Sequence, residues 1–458
     1  MTQNAKTLWI LMVVLALCVP ALWAQRVNPV GPAAPIGEDE ESSSKQLDEP
    51  VKDAPKPDTR PLGGAETFSL GNLLEGRKFF RYNVSLSQRV ETNSASNFAG
   101  VSRLNGGFEL QRQLPQSQLS LDYHVGGFFH TNRSDAITSY HALSVRQAWQ
   151  TGRWSFMLAD QVSYSPDSPF SLAMAGTVLN LSMNVNGQSI INPIFIPGQG
   201  ILSGEASRFG NITIGQVQYR LGPRTSVFAA GGYSFLNFSG SALTDFNQRN
   251  ALVGFERQLN STDSVGIRYS FNQFVFSKGA SNVNNHSFHV AYGRRITSRM
   301  ALEVSGGPAF SPFRDPLTGP TQRLYWSLGS SLAYRWGRSD LGMSYRHALN
   351  GGSGVLSGSQ GDSVNFTWGR GLTRHWDMGV NFGYFRNRSL RSSSSSKPAT
   401  TYDTQYASLG LSRKLSAGRN VYARYAATHQ SSRGGQGFAL QHAVEVGFSW
   451  DPRPHPID

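Results

Sequence analysis

Between residues 78 and 450, apolar and polar positions alternate with a period of two, the mark of strands with one greasy and one hydrophilic face. In 118–131, Leu119, Leu121, Tyr123, Val125 and Phe129 share one face, and Gln118, Ser120, Asp122, His124 and His130 the other. In 263–276, Val265, Ile267, Tyr269 and Phe271 oppose Gly266, Arg268, Ser270 and Asn272. Trp376, Met378, Val380, Phe382 and Tyr384 oppose His375, Asp377, Gly379 and Asn381. The last segment sets Phe438, Leu440, Val444, Val446, Phe448 and Trp450 against Gln441, Glu445 and Ser449. Eighteen strands are predicted: 78–92, 101–113, 118–131, 138–150, 153–165, 208–221, 224–239, 246–259, 263–276, 284–296, 299–311, 321–336, 339–350, 361–373, 375–389, 401–415, 419–430 and 437–450. One breaks the rule: 401–415 loses its phase near Tyr406, which predicts a bulge there or a misplaced strand boundary.

Eight tight turns punctuate the pattern, among them Leu114-Pro115-Gln116-Ser117, Gln150-Thr151-Gly152-Arg153, Trp336-Gly337-Arg338-Ser339 and Leu415-Ser416-Ala417-Gly418. Most recur every ~36 to 43 residues, enough for two ten-residue strands, a tight turn and a longer loop. The longer loops fall at 93–100, 131–137, 166–207, 240–245, 277–283, 312–320, 351–360, 390–400 and 431–436. A soluble sandwich shows the same alternation, with its apolar face inside. Three features favour the opposite sidedness. The hairpins are long and regular, the chain opens on a secretion signal, and Tyr123, Trp154, Trp326, Trp336, Trp376 and Trp450 stand near strand ends as interfacial girdles. The expected fold is therefore all-β: a closed antiparallel transmembrane β-barrel of about 18 strands, preceded by a disordered periplasmic tail.

Composition agrees. Gly 48, Phe 27, Tyr 16 and Trp 9 with only 39% apolar residues is lean for a soluble core of 458 residues, but suits strands that need one apolar face each. Residues 1–24 read as a signal peptide, with Lys6 before the apolar run Leu8 to Val19 and Leu22-Trp23-Ala24 before Gln25; a retained helix is the alternative, and its run is short. The sole cysteine, Cys18, lies in that segment, so the mature chain is expected to have no disulfide or thiolate chemistry. Residues 25–77 form a Pro-, Ser- and acid-rich segment read as a flexible periplasmic tail, or alternatively a docking segment for a periplasmic partner. The barrel spans 78–450, and 451–458 is a C-terminal tail.

The formal charge of +13 is concentrated in the barrel. Arg112, Arg146, Arg153, Arg220, Arg224, Arg299, Arg338, Arg374 and Arg413 lie at or beside the tight turns, where guanidinium heads are expected to snorkel to phospholipid headgroups. Nucleic-acid binding, the other use of such a surplus, does not fit a secreted barrel.

These features together resemble a Gram-negative outer-membrane β-barrel of the porin type, over roughly 78–450. The final Phe448-Ser449-Trp450 is similar to the C-terminal signal that such proteins offer to the barrel-insertion machinery, although Asp451 to Asp458 follow it. Eighteen strands is the count of substrate-specific sugar channels and of the alginate-export porin, an architectural likeness without a subfamily motif. The resemblance implies a bacterial outer-membrane location among lipid and lipopolysaccharide, and passive passage of small hydrophilic solutes. A homotrimer stays open, as trimers are common among porins and the chain shows no patch for one.

The candidate site is the lumen. Loop 166–207 is the longest, and between Asp167 and Glu205 it carries no charge; Asn192, Pro193, Phe195 and Pro197 mark its second half. An uncharged loop of this kind is expected to fold inward as a constriction, with a cap over the mouth as the alternative. Selectivity then falls to the wall. On the assumed phasing, Arg81, Arg89, Arg268, Arg295, Arg323, Arg335, Arg346 and Arg424 face inward, with Glu91, Glu109, Asp122, Glu256, Glu303, Asp340, Asp377 and Glu445. Such a wall is either a structural ion-pair network or a moderately cationic path for anionic solutes or acidic saccharides. His124 and His289 also face inward, read as pore lining. No catalytic, cofactor or metal motif is present in the sequence, so the chain is not expected to be an enzyme. A polysaccharide export conduit and a non-conducting surface scaffold or adhesin are the alternatives to a channel.

Overall fold

The computed structural model describes residues 79–92, 98–131, 137–165, 184–185, 188–189, 201–202, 207–239, 243–277, 282–315, 319–390, 399–416, 418–433, 437–452 and 455–456. The signal-peptide and tail assignments for 1–77 lie outside them. Eighteen long strands follow one another: β1 (Phe79–Thr92), β2 (Phe98–Leu114), β3 (Ser117–His130), β4 (Ile137–Thr151), β5 (Trp154–Ser165), β6 (Arg208–Gly222), β7 (Thr225–Phe238), β8 (Phe246–Gln258), β9 (Asp263–Phe276), β10 (Val283–Thr297), β11 (Met300–Asp315), β12 (Gly319–Trp336), β13 (Ser339–Asn350), β14 (Ser359–Gly371), β15 (Trp376–Ser389), β16 (Thr401–Ser416), β17 (Arg419–Arg433) and β18 (Phe438–Trp450). Each pairs antiparallel with its neighbours in sequence, and β18 pairs back with β1 from Val84↔Trp450 to Glu91↔Ala443, which closes the sheet. A two-residue strand at His455–Pro456 extends the seam by pairing with Phe79 and Phe80. The C-terminal tail thus adds an edge to the barrel.

Side chains from strands that are not neighbours meet on only one face, which must be the inside of the cylinder. Leu236 of β7, Phe276 of β9, Leu349 of β13 and Leu390 beyond β15 share one buried cluster. On the opposite face Leu86, Val253, Ile267, Phe288, Val290, Leu324, Leu440 and Val446 are exposed, forming an apolar outer wall. Backbone groups within that wall are paired through the ladders, the condition for residing in hydrocarbon.

Two rings bound the wall. At the tight turns stand Trp149, Trp154, Trp336 and Trp450 with Leu221, Leu259, Ile296, Leu372 and Leu415, all exposed. Arg413 lies over the Trp376 ring at 5.4 Å, its charged head carried past the apolar rim. Toward the long loops, one diagonal pairing recurs five times. A tyrosine hydroxyl meets a partner on the next strand two residues nearer the loops: Tyr123 with His141 (3.1 Å), Tyr269 with His286 (2.7 Å), Tyr345 with Asp362 (2.9 Å), Tyr384 with Asp403 (2.7 Å) and Tyr425 with His442 (2.7 Å). From Trp376 to Tyr384 on β15 the chain climbs roughly 20 Å after allowing for strand tilt, close to the apolar height of an outer-membrane barrel.

Two expectations are corrected. No bulge interrupts β16 near Tyr406; the register runs unbroken from Thr401 to Lys414, and Tyr406 turns inward. Its partner is Gly383, and the Tyr406 ring covers the space where a side chain would stand. The same glycine–aromatic pairing occurs at Gly126 with Tyr140, Gly254 with Phe228, and Gly447 with Tyr422. Gly383→Val is expected to cost about 2 kcal/mol through overpacking, because a Cβ there would stand 2.0 Å from the ring. Urea midpoints in lipid vesicles check this, and an unshifted midpoint would show that the ring moves aside freely. The second correction concerns Arg146. It does not snorkel at a turn but points into the barrel, 1% exposed.

Candidate functional site: the lumen and the loops that cross it

Near the long-loop end, two segments leave the wall and enter the lumen. The end of loop 166–207 places Ile201 and Leu202 inside, both buried. The Leu202 N–H donates to Gln430 Oε1 on β17 at 2.7 Å, and Gln430 Nε2 donates back to the Leu202 carbonyl at 3.2 Å. Thr404 Oγ1 holds the same Gln430 oxygen at 2.8 Å. This segment leads into β6, so reaching β17 means crossing the lumen. Asn192, Pro193, Phe195 and Pro197 lie outside the described residues.

The second segment is 351–358, between β13 and β14. It makes a single 3-10 turn at Gly352–Gly354 and packs Leu356 and Val355 against Ile201 and Tyr402. Gly354 has φ +76, and a Cβ there would stand 2.3 Å from the Phe238 ring, so both the backbone and the close approach call for glycine. Its carbonyl accepts from Thr244 N at 2.8 Å, tying the segment to the loop between β7 and β8. Underneath lies the buried cluster of Leu236, Phe246, Phe274, Phe276, Val283, Leu349 and Leu390. The long-loop mouth is therefore crossed by apolar side chains.

The charged wall divides into sectors. Along β18, β1 and β2 charges are paired: Arg81 with Glu109 at 2.5 Å, Arg89 with Glu91 at 2.7 Å, and Arg103 with Glu445 at 3.3 Å. Arg103 strides over β1 to reach β18, passing the buried Ser87, and its guanidinium also lies 4.9 Å from the Phe128 ring. Arg424 faces Glu445 in register. Asp122 and His124 pair with each other at 2.8 Å on β3.

Across the lumen, Arg268 Nε donates to His289 Nδ1 at 3.4 Å. Arg346 stands on β13, opposite Gly329 and Ser363. Ser305, Gly307, Ser327 and Gly329 line the wall between these two arginines, leaving a shallow polar shelf. Arg323 shares this inner face on β12. Two pairs lie elsewhere. Arg335 with Asp340 (2.7 Å) is largely exposed at the tight-turn rim, and Asp377 is held there by Lys414 (2.9 Å).

On β3 and β4 a third sector was not singled out from the sequence. Gln118 is fully buried, Arg146 almost so, and Ser144 is buried beside it. Among the described residues neither the guanidinium nitrogens of Arg146, nor the Gln118 amide, nor Ser144 Oγ has a hydrogen-bond partner. A usable signal was present: Arg146 is in phase with Ala142 and Ala148 and out of phase with Leu143, Val145 and Trp149. Gln430 and Arg103 were also unmarked, since their partners lie far along the chain.

No protein-family model matches the chain, and no curated protein matches it. Among solved structures, the barrel is similar to Pseudomonas aeruginosa OccK2 (OpdF), at 9% identity over 82% of this chain and 99% of that one, with TM-score 0.43. It is similar to Acinetobacter baumannii OccAB4, at 8% identity over 82% and 99%, with TM-score 0.42. It is also similar to a BenF-like porin from Pseudomonas fluorescens, at 9% identity over 83% and 100%, with TM-score 0.43.

Proposed function

We propose that this protein is a bacterial outer-membrane channel for small hydrophilic solutes, with a preference for anions. One observation carries the reading: a closed eighteen-strand cylinder with an apolar outer wall between two amphipathic rings and a polar inner face. A barrel of that strand number is too wide for wall side chains alone to fill, so it encloses a path unless loops block it. The anion preference rests on Arg146, a buried cation with no acidic partner among the described residues, and on Arg346 beside a Ser/Gly shelf. Arg268, on the far side of that shelf, is offset by Glu303, which has Glu256 near it. Cations in a low-dielectric passage focus field lines toward it and raise the local concentration of anions.

Purified protein in a planar bilayer is expected to give stable conductance steps, and deletion of 170–200 to enlarge them. Under a salt gradient the reversal potential is expected to report anions as the more permeant species. Absence of steps in both proteins would reject the channel, and a cation-selective reversal potential would reject the anion preference alone.

A second reading is favoured by the apolar crossing at Ile201, Leu202, Val355 and Leu356. Packed hydrophobic loops would also suit a shut barrel serving as a surface scaffold. Silence of the intact protein with conductance after the deletion would select it.

A further inference from the structure

The outer wall changes character beyond the tyrosine ring. Above it the barrel has left the hydrocarbon, so outward cations face lipid headgroups. Strands β15 to β17 place three arginines there. Arg386 and Arg388 follow Tyr384 on the same face of β15, and Arg433 ends β17. In the register Arg388 opposes Thr401, and Thr401 opposes Arg433. The two arginines therefore share one row, two strands or roughly 10 Å apart, with the threonine hydroxyl between them. Two guanidinium groups on long stems close such a gap onto a single phosphate.

The acids nearby are already engaged. Asp403 takes Arg386 at 3.7 Å and the Tyr384 hydroxyl at 2.7 Å, and Asp362 takes His347 at 2.7 Å and the Tyr345 hydroxyl at 2.9 Å. Arg388 and Arg433 are exposed, and neither has an ion-pair partner among the described residues. Gln360, opposite Arg388 on β14, keeps its amide oxygen for a sugar hydroxyl while its Nε2 bonds His347 Nε2 at 2.9 Å. The Thr401 hydroxyl, which donates to the Ala399 carbonyl at 3.4 Å, can still accept.

We propose that Arg388 and Arg433, with Thr401 between them and Gln360 alongside, form a binding site on the outer wall for the phosphate of a glycolipid headgroup in the outer leaflet. This rests on the outer-membrane reading but not on conduction. The test is titration of the purified protein in neutral detergent with bisphosphorylated lipid A, followed by native mass spectrometry. Dephosphorylated lipid A and inorganic phosphate serve as separate arms. The wild-type protein is expected to prefer the phosphorylated lipid at least tenfold. Arg388→Gln with Arg433→Gln should weaken it by roughly thirty-fold, as expected for losing two arginines at an anionic surface. Arg388→Lys with Arg433→Lys should retain part of the affinity. Equal binding by wild type and the glutamine variant overturns the proposal, as does displacement of the lipid by inorganic phosphate at equal concentration. Bilayer conductance of the glutamine variant should match wild type. Lost conductance in both proteins would count against the channel while leaving the lipid result to be judged on its own.

Discussion

Replacing Glu445 with alanine is expected to destabilise the closed barrel by about 3–5 kcal/mol, the typical cost of stranding one member of a buried ion pair. Both side chains of the Arg103–Glu445 pair are almost fully buried. Glu445 also accepts the Tyr422 hydroxyl at 3.3 Å, so two donors lose their acceptor at once. The location makes the loss matter. The β18–β1 seam brings together the two ends of the barrel sequence, and the pair clamps it by bridging β18 to β2 across β1. Urea unfolding in vesicles, followed by tryptophan fluorescence, measures the loss. Arg103→Met with Glu445→Leu removes both charges and should recover most of the stability, because a buried pair contributes little beyond a well-packed apolar substitute. If Glu445→Ala shifted the midpoint by no more than a surface substitution does, the pair would be no clamp.

The strands were legible because a bilayer enforces period two on any wall residue it touches, and the sequence had to obey it from Phe79 to Trp450. Legibility fades where that constraint ends. β2 begins at Phe98, β11 runs to Asp315 and β17 to Arg433, each a few residues beyond the predicted limit and all at the long-loop end, where outward residues need no longer be apolar. Tyr406 looked like a fault in phase because its accommodation, Gly383, sits on another strand. Arg146 was misread for a related reason: nearness to a turn in sequence suggested the rim, whereas strand phase put the side chain inside. The crossing of the lumen was least visible. Absence of charge between Asp167 and Glu205 suggested burial, yet nothing local identifies Gln430, 228 residues from Leu202, as the anchor.

The second large effect is expected at the apolar mouth. Phe246 is 1% exposed, its ring stands 5.9 Å from that of Phe276, and a Cβ on Gly351 would fall 2.5 Å from it. It is thus the floor on which segment 351–358 rests. Phe246→Ala removes that floor at a cost of about 3–5 kcal/mol, and Phe246→Asp adds an uncompensated charge to an apolar cluster. The segment is short and otherwise held by few bonds, such as Thr244 N to the Gly354 carbonyl, so it should undock while the ladders stay intact. Hydrogen exchange at Val355 and Leu356, whose amides now bond the Gly352 carbonyl, should accelerate by roughly a hundredfold or more. In a planar bilayer the aspartate variant should conduct in larger steps than wild type, since undocking the segment widens the path and a charged side chain hydrates the apolar mouth. Faster exchange without larger steps would place the limiting constriction at loop 166–207 instead. Unchanged exchange would mean that Phe246 does not hold the segment at all.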